Sequence, residues 1–357
     1  MENRFFAVSY AVLAALCYGV SIPVSKLLLD DLPPVFIAGL VYTGAGLGML
    51  LIKIFQNKNI PQKEAKITKK ELPFTIAMVV LDVLAPIFLM IGLSKSTPAT
   101  ASLLNNFEIA ATSLVALIVF KEAVGKRTFA AIILITIASI ILSVDDISGV
   151  SFSFGSIFVL LACVCWGFEN NCTSRLSLKD PLEIVIIKGI GSGFTSLIIA
   201  FIAKQYNLDI KYILAALLLG FAAYGLSVYF YIYAQRNLGA ARTSAYYALS
   251  PFIGAGLSFI IFKESLTVSY LTALGIMAIG VYFTAFEKHE HSHLHKFAEH
   301  EHRHNHSDGH HNHTHDASIN GEHSHPHIHN TMEHEHSHTP DLHHSHEHEE
   351  IRSLPCR

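Results

Sequence analysis

The amino-acid sequence repeats itself, and this internal duplication limits the folds that the chain can adopt. Three motifs return in the same order: Cys-Tyr-Gly (17–19) as Cys-Trp-Gly (165–167), Ala-Thr-Ala-Ser (99–102) as Ala-Arg-Thr-Ser (241–244), and Val-Phe-Lys-Glu (119–122) as Ile-Phe-Lys-Glu (261–264). Five apolar segments accompany each copy. Because five is odd, the second copy must cross a bilayer in the opposite sense to the first. The sequence therefore predicts an all-α membrane protein with ten transmembrane helices arranged as two inverted five-helix repeats.

Composition supports a membrane location for both copies. Hydrophobic residues make up 51% of the chain and charged residues only 15%, which is more apolar than a soluble core can use. A helix needs about 20 apolar residues to cross the hydrocarbon layer, and most of the segments reach this length. The predicted spans are Phe5–Leu29, Val35–Phe55, Pro73–Leu93, Thr97–Phe120, Thr128–Val144, Phe154–Ser174, Leu182–Ala203, Tyr212–Ala234, Gly239–Phe262 and Thr267–Phe286. The first is interpreted as a retained helix and not as a cleaved signal, because it is long and more spans follow at once.

The predicted domain boundaries follow the duplication and one abrupt change of composition. The first repeat covers residues 1–146, the second covers residues 147–288, and a histidine-rich tail covers residues 289–357. With the N-terminus inside, the inner segments hold fourteen Lys and Arg residues and the outer segments hold four. Since cytoplasmic loops are enriched in these residues, both termini are predicted to be cytoplasmic, in a multi-pass protein of the cell (inner or plasma) membrane. The lysine-rich stretch 56–71 is predicted to form an interfacial helix.

Polar side chains inside the spans are the first candidates for a binding site. A charge at the bilayer centre costs roughly 2.5–3.5 kcal/mol unless a cavity or a partner receives it. Asn105 and Glu108 are three residues apart and therefore share a helical face. Glu108, helped by Asp82, is expected to bind a proton or the positive group of a substrate. The alternative is that these carboxylates only form interhelical ion pairs, for example with Lys188 or Lys26. The predicted substrate and proton pathway consists of Asp82, Asn105, Glu108, Glu169, Asn170 and Tyr246.

Small residues and prolines predict how the spans pack and bend. Gly44-xxx-Gly48 and Gly189-xxx-Gly193 lie in the second and seventh spans, which are equivalent members of the two repeats. This spacing lets helix backbones approach closely, so packing is favoured over substrate binding as their role. Prolines inside the spans permit bending. They are Pro23, Pro86 and Pro251.

The tail differs in composition from the rest of the chain. All 23 histidines lie between His289 and His348, and from Glu287 onward 13 acidic residues stand against five Lys or Arg residues. A segment this polar cannot bury a core and is predicted to be disordered. Residues two apart in an extended chain lie on the same side, and imidazole nitrogens suit zinc, nickel, cobalt or copper. The alternative is that metal binding is incidental and the tail is a solvated, pH-sensitive appendage. The predicted metal ligands are His289, His291, His293, His295, His300, His302, His304, His306, His311, His313, His315, His323, His325, His327 and His329.

These motifs together resemble those of the EamA family of the drug/metabolite transporter superfamily. The likeness rests on the Cys-Tyr-Gly and Cys-Trp-Gly signatures, on Lys26 after Ser25, and on the small-residue run before Phe-Lys-Glu, and it covers residues 5–286. Family members often carry Ser-Leu-Glu-Pro in the fourth span of a repeat. The first copy has Asn-Phe-Glu-Ile there, which matches only at Glu108, and the second has Ala-Leu-Ser-Pro, which keeps the proline and lacks the acid.

The resemblance implies a ten-helix inner-membrane carrier whose cavity is lined mainly by spans 1, 3, 4, 6, 8 and 9. Such a cavity favours Asp82, Glu108 and Glu169 as functional residues over Lys188. Substrates of the family range across amino acids, nucleosides and other small metabolites, so membership does not identify the cargo. The tail is not a general feature of the family.

The sequence thus predicts a carrier, and not an enzyme, that moves a small metabolite by alternating access. Export is the expected direction, and proton coupling through Glu108 is a further expectation. One alternative is transport of nickel, cobalt, zinc or a metal complex, although the predicted spans contain no histidine. A second alternative is a membrane-anchored metal sensor or buffer, for which ten spans are far more than is needed.

The sequence also predicts which partners the chain has. No cofactor is required, and the expected partners are the small-molecule substrate, the lipid bilayer and divalent metal ions at the tail. Nucleic acid is not expected, because the sequence has no basic patch with interleaved aromatic residues. Whether two chains form a homodimer is left open.

Overall fold

The computed structural model describes residues 2–55, 71–121, 125–146, 151–176, 179–238, 243 and 246–285, and four segments of the tail. Its membrane part is helical, and only one short pair of strands interrupts the helices in the described residues. The helices are α1 Glu2–Gly19, α2 Ser21–Leu28, α3 Pro34–Phe55, α4 Leu72–Ser94, α5 Pro98–Leu104, α6 Phe107–Ile118, α7 Lys126–Ser143, α8 Phe154–Ser174, α9 Pro181–Ile202, α10 Ile210–Gly220, a π-helical turn Phe221–Leu226, α11 Ser227–Leu238, α12 Ser250–Phe262 and α13 Val268–Ala285.

These elements form the predicted number of membrane spans. Eight helical segments among the described residues are long and apolar enough to cross a membrane, and α12 and α13 are two shorter apolar helices. Three of the spans are discontinuous: α1 with α2, α5 with α6, and α10 with the π-helical turn and α11. The ten spans confirm the all-α fold class.

The duplication is visible in the backbone at the recurring Phe-Lys-Glu motif. Lys121 and Lys263 occupy the same place in the two copies, and both have a positive φ, 55° and 51° respectively. A residue in the left-handed backbone conformation commonly ends a helix, because its amide can donate a hydrogen bond to a carbonyl of the last turn. The Lys263 amide indeed donates to the carbonyl of Phe259, 3.0 Å away. The two copies therefore end corresponding spans with the same backbone conformation.

The two repeats are interleaved and do not form separate bundles. Helix α3 packs on α9, α4 on α8, α7 on α13, α1 on α11, and α5 on α12. In terms of spans these pairs are 2 with 7, 3 with 6, 5 with 10, 1 with 8, and 4 with 9. Exchanging the two repeats reproduces the same set of pairs, as a pseudo-two-fold axis in the membrane plane requires. Every one of these contacts joins the first repeat to the second.

Glycines permit the closest of these approaches. A Cβ atom at Gly193 would lie 2.5 Å from the Thr43 nitrogen, and one at Gly189 would lie 2.5 Å from the Gly46 nitrogen, so this motif packs α9 on α3. The motif in the second span faces a different neighbour. A Cβ atom at Gly44 would lie 2.1 Å from the Leu217 carbonyl oxygen of α10. Both motifs therefore serve helix packing, each against its own partner.

A short antiparallel pair of strands lies at the predicted boundary between the repeats. Strand β1 (Val144–Asp146) pairs with β2 (Ser151–Phe152), and Val144 is the register partner of Phe152. The four residues between them lie outside the described residues, as does most of the lysine-rich stretch that was predicted to be an interfacial helix, residues 56–70.

Four described segments of the tail are strands. They are β3 His289–His295, β4 Ala298–His304, β5 His323–His329 and β6 Met332–His338. Strand β3 pairs with β6 and β4 with β5, both antiparallel. Histidine alternates with other residues in these segments, and this spacing has the period of two that a strand requires. Four predicted ligands lie outside the described residues: His306, His311, His313 and His315.

Candidate functional site

A cluster of three charged side chains lies inside the bundle where spans 3, 6 and 7 meet. The Lys188 ammonium is 3.2 Å from Asp82 Oδ2 and 2.9 Å from Glu169 Oε1. The side chains of Asp82 and Glu169 are buried, and Lys188 keeps 25% of its side chain exposed. Two buried carboxylates are tolerated because one ammonium compensates both.

Aromatic and hydroxyl groups complete the hydrogen bonds of this cluster. The Tyr42 hydroxyl donates to Asp82 Oδ1 over 3.0 Å and accepts a hydrogen bond from the Trp166 indole nitrogen at 3.2 Å. The Thr173 hydroxyl donates to Glu169 Oε1. Asp82 belongs to the first repeat and Glu169 to the second, so the cluster joins the two copies.

Glu108 forms a second polar group on the neighbouring helix α6. The Asn170 amide of α8 donates to Glu108 Oε1 at 2.8 Å and to the Thr112 hydroxyl at 3.2 Å. No ion pair joins Glu108 to a Lys, Arg or His among the residues that the structure describes. Glu108 lies within electrostatic range of Glu169 and Lys188, so the two polar groups belong to one region of the bundle.

Tyrosine side chains lie beside Glu108. The Asn105 amide donates to the Tyr18 hydroxyl at 3.3 Å. The Tyr18 ring has its centroid 5.6 Å from that of Tyr224 and 5.6 Å from that of Tyr247, and the Tyr224 ring is 5.5 Å from Tyr42. The Ser227 hydroxyl is 3.3 Å from the Tyr247 hydroxyl. The rings therefore form an aromatic wall that spans 1, 2, 8 and 9 contribute.

The polar residues lie where the helices are interrupted. Tyr18 is two residues before Val20, which separates α1 from α2, and Asn105 lies between α5 and α6. Tyr224 lies in the π-helical turn, and Tyr247 lies three residues before α12 begins. Such interruptions in membrane helices occur where the backbone lines a cavity, and π-helical turns are frequent at functional sites. Glu108, Tyr18, Tyr224 and Tyr247 are each only partly buried.

Comparison with known families decides what kind of protein carries this arrangement. The EamA-like transporter family matches residues 5–144 and again residues 153–286, one match for each repeat. The chain belongs to the EamA-like transporter family. The resemblance found in the sequence is thereby confirmed, and the protein is a multi-pass membrane transporter.

A relative and a solved structure agree with this assignment. An "Uncharacterized transporter" of Methanothermobacter thermautotrophicus (strain ATCC 29096 / DSM 1053 / JCM 10044 / NBRC 100330 / Delta H) is 25% identical over 297 residues, which cover 78% of this chain and 86% of the relative. A protein crystal structure with a TM-score of 0.56 and 14% identity covers 78% of this chain and 95% of the other. At that identity the crystal structure supports the fold of this EamA-like transporter alone.

The structure brings five of the six predicted pathway residues together. Asp82 and Glu169 contact Lys188, Glu108 contacts Asn170, and Asn105 lies beside Tyr18, as described above. Tyr246 lies elsewhere, against a small apolar cluster made by Ala7, Ala11, Ala234 and Leu238. The next residue, Tyr247, contacts the Tyr18 ring instead. Successive helical residues point about 100° apart, so one position decides which tyrosine reaches the site.

Several residues of the site were missed or given less weight in the sequence analysis. Lys188 was weighted below the carboxylates, and the structure places it between two of them. Tyr18 and Trp166 were recognised only as parts of the recurring Cys-Tyr-Gly and Cys-Trp-Gly motifs. Their equivalence in the two repeats was a usable signal, because both lie in the polar network. Lys26, named as a possible ion-pair partner of the carboxylates, donates to the carbonyl oxygens of Leu93 and Ser96 instead.

The described part of the chain offers no preformed metal centre. Among the described residues, no group of three or more His, Cys, Asp or Glu side chains is placed to hold a metal ion. The predicted ligands in β3, β4 and β5 are described by their backbone alone. The metal-binding hypothesis for the tail therefore stays a prediction.

Proposed function

We propose that this EamA-like transporter is an exporter of a small organic metabolite and works by alternating access. The observation that carries the proposal is that Glu108, Asn105 and tyrosines from both repeats lie at interruptions of spans 1, 4, 8 and 9, in one region with the cluster of Asp82, Glu169 and Lys188. Carriers built from inverted repeats place their substrate sites at such an interface, near the bilayer midplane. A polar, partly open cluster at this depth is costly unless something binds there.

The packing of the half-helices suggests on which side the site is closed. Segments α2, α5 and α12 pack against one another at one end of the bundle. With both termini in the cytoplasm of a cell membrane, this end faces outward, and the site beyond it is loaded from the cytoplasm. If each repeat adopted the conformation that the other has now, these half-helices would separate and the outer end would open. In an exporter, the state that is closed at the outer end receives the substrate from the cytoplasm.

Proton coupling through Glu108 is the second element of the proposal. Its partner in the described residues is the Asn170 amide, which donates a hydrogen bond and brings no positive charge. A carboxylate in this position is compensated either by a proton or by the substrate. If the substrate and a proton replace each other at one Glu108 oxygen atom, substrate efflux is coupled to proton entry, because the two cannot bind this atom together.

The test is a flux measurement in proteoliposomes with an imposed pH gradient. Candidate metabolites are loaded, and efflux is compared for the wild type, Glu108→Gln, and Glu183→Gln as a control with a carboxylate in the first turn of α9. We expect the pH gradient to drive efflux in the wild type and in Glu183→Gln, and not in Glu108→Gln. Equal gradient-driven efflux in all three proteins would remove Glu108 from the mechanism. No flux of any metabolite in the wild type would overturn the carrier proposal.

We also propose that the cytoplasmic tail binds zinc, nickel, cobalt or copper ions. In the register of the paired strands, histidines are opposite histidines at His289 with His338, His291 with His336, His293 with His334, His300 with His327, His302 with His325, and His304 with His323. Opposite residues in an antiparallel pair lie on the same face. Several similar sites of modest affinity follow from this repetition, and they favour buffering of ions over one tight site.

Transport of a divalent metal is the second candidate function. It is favoured by the three carboxylates of the site and by a tail of metal-ligand type on the proposed cytoplasmic side. Against it, the Lys188 ammonium already lies between Asp82 and Glu169, where it compensates both charges. Nickel, cobalt and zinc ions favour imidazole ligands, which the spans lack, and their approach to Asp82 and Glu169 would have to displace Lys188.

A further inference from the structure

The charges around the site are unevenly compensated. Lys188 contacts both Asp82 and Glu169, so two carboxylates share one ammonium. Glu108 adds a third carboxylate whose hydrogen-bond partner, Asn170, is neutral. If all four groups are ionised, the three carboxylates exceed the one ammonium by two charges. The region therefore attracts a positive group and opposes an anion, most strongly where water is excluded.

The aromatic wall lies next to the uncompensated carboxylate. Glu108 is within electrostatic range of Tyr18, Tyr224 and Tyr247. The Tyr18 ring meets Tyr224 edge-on at 76° and Tyr247 at a tilt of 34°, so the three rings do not form a closed parallel stack. Ring faces carry negative electrostatic potential and attract ammonium groups within about 6 Å. A carboxylate without a cationic partner in the described residues, and in electrostatic range of three tyrosines whose rings contact one another, suits an organic ammonium ion.

We propose that the substrate of this site is an organic cation, a small molecule with a primary or methylated ammonium group. The ammonium binds at Glu108, and its carbon substituents pack against the rings of Tyr18, Tyr224 and Tyr247. This inference rests on the proposed carrier function and names its substrate class. An inorganic dication fits less well, because amide nitrogens and ring faces are poor ligands for it. A substrate whose only charged group is a carboxylate also fits less well. Lys188 is the cation near the site, and it already forms ion pairs with Asp82 and Glu169.

The first test measures binding to the purified full-length protein in detergent. The probes are tyramine, its neutral alcohol analogue tyrosol, and its anionic analogue 4-hydroxyphenylacetate, which share one ring and differ in charge. Choline and its uncharged isostere 3,3-dimethylbutan-1-ol form a second matched pair. We expect concentration-dependent thermal stabilisation by a cation of at least one pair and none by its neutral or anionic analogue. Stabilisation by the neutral or anionic analogue alone, or by no probe, would overturn the proposal.

Variants separate the carboxylate from the rings. Glu108→Gln should weaken cation binding at least tenfold, whereas Glu183→Gln, outside the site, should not change it. Tyr247→Leu removes a ring and should weaken binding by about tenfold, and Tyr247→Phe, which retains the ring, should lose clearly less. A merely structural role of Tyr247 would lower the unfolding temperature of the leucine variant without a selective loss of cation affinity. Equal affinity of Tyr247→Leu and wild type would exclude the ring from the site.

Flux of the same probes distinguishes this inference from the carrier proposal. If a cation binds but crosses proteoliposomes no faster than it does in protein-free vesicles, the site stands and the carrier function fails. If neutral or anionic metabolites are carried and cations do not compete, the carrier function stands and the cation site is wrong. Binding and carrier-dependent flux of the cation, both lost in Glu108→Gln, would establish the two together.

Discussion

Asp82, Glu169 and Lys188 carry charge inside the bilayer because they compensate one another. Asp82 is fully buried, yet one oxygen atom contacts Lys188 and the other accepts the Tyr42 hydroxyl. A buried ion pair is costly to desolvate, and removal of one member is more costly still, because the other charge is left unpaired. Lys188 is therefore the residue on which the stability of the cluster depends.

Replacing Lys188 by methionine should destabilise the protein strongly. The loss in unfolding free energy should be about 3 kcal/mol, at the low end for a buried pair because a quarter of the Lys188 side chain is exposed. Thermal unfolding in detergent measures this loss. Lys188→Arg keeps the charge and should lose much less, and adding Asp82→Asn and Glu169→Gln to Lys188→Met should restore part of the stability. An unchanged unfolding temperature for Lys188→Met would contradict the proposed compensation.

Two adjacent asparagines of α8 should separate function from stability. The Asn170 amide donates to the Glu108 carboxylate, whereas the Asn171 amide donates to the backbone oxygens of Thr112 and Gly167. Asn171→Leu should lower the unfolding free energy by about 1–3 kcal/mol, because a buried carbonyl loses its donor. Asn170→Leu should reduce transport more than stability. The prediction is contradicted if both variants show the same ratio of activity loss to stability loss in paired flux and unfolding measurements.

The sequence predicts the acidic residues of the site better than its aromatic residues. Charges inside apolar spans are rare, so Asp82, Glu108 and Glu169 stand out without any structure. Tyrosines are common in membrane proteins, and helix periodicity does not select Tyr247 over Tyr246 because a span is apolar on every side. Only the packing of α1 on α11 and α12 determines which ring faces the site.

At the scale of the element, interrupted helices position the site, and prolines predict only some of the interruptions. The break at Val20 lies three residues before Pro23, and the turn that ends at Leu249 lies two residues before Pro251. Pro86 lies inside α4, which continues through it. The break at Asn105 and the π-helical turn have no proline of their own. They depend on tertiary packing, which local sequence signals do not report.

Helix α9 should tolerate no side chain where it crosses α3. A Cβ atom at Gly193 would lie 2.4 Å from the Thr43 hydroxyl and 2.5 Å from its backbone nitrogen, and backbone cannot move aside cheaply. Gly193→Ala should therefore lower the unfolding free energy by about 1–3 kcal/mol. Gly256→Ala in α12 is the matched control, since a Cβ atom there meets nothing within 4 Å. Thermal unfolding of the two variants checks the prediction, and equal unfolding temperatures would show that α9 and α3 can separate without loss.

At the scale of the whole molecule, the inverted duplication explains why one site serves both sides of the membrane. The principal helix contacts map onto themselves when the repeats are exchanged, although the side chains do not. The first repeat supplies Glu108 in its fourth span, whereas the equivalent span of the second supplies Tyr247. The framework is therefore symmetric while its chemistry is not. A symmetric framework lets two end states have similar energies, and under the proposed function an asymmetric site lets the bound substrate and proton shift the equilibrium between them.

The tail should act separately from the membrane part, and removal of residues 289–357 tests this. We expect the truncated protein to insert in the membrane and to transport at the wild-type rate, because the predicted pathway residues all lie within the repeats. Purified intact protein should retain severalfold more zinc than the truncated protein, measured by elemental mass spectrometry. Cells under zinc, nickel or cobalt stress should contain equal metal with the wild type and with Glu108→Gln, since the proposed cargo is organic. If the wild type lowers cellular metal content and Glu108→Gln does not, the cargo is instead a metal or a metal complex, and the tail collects metal ions for transport.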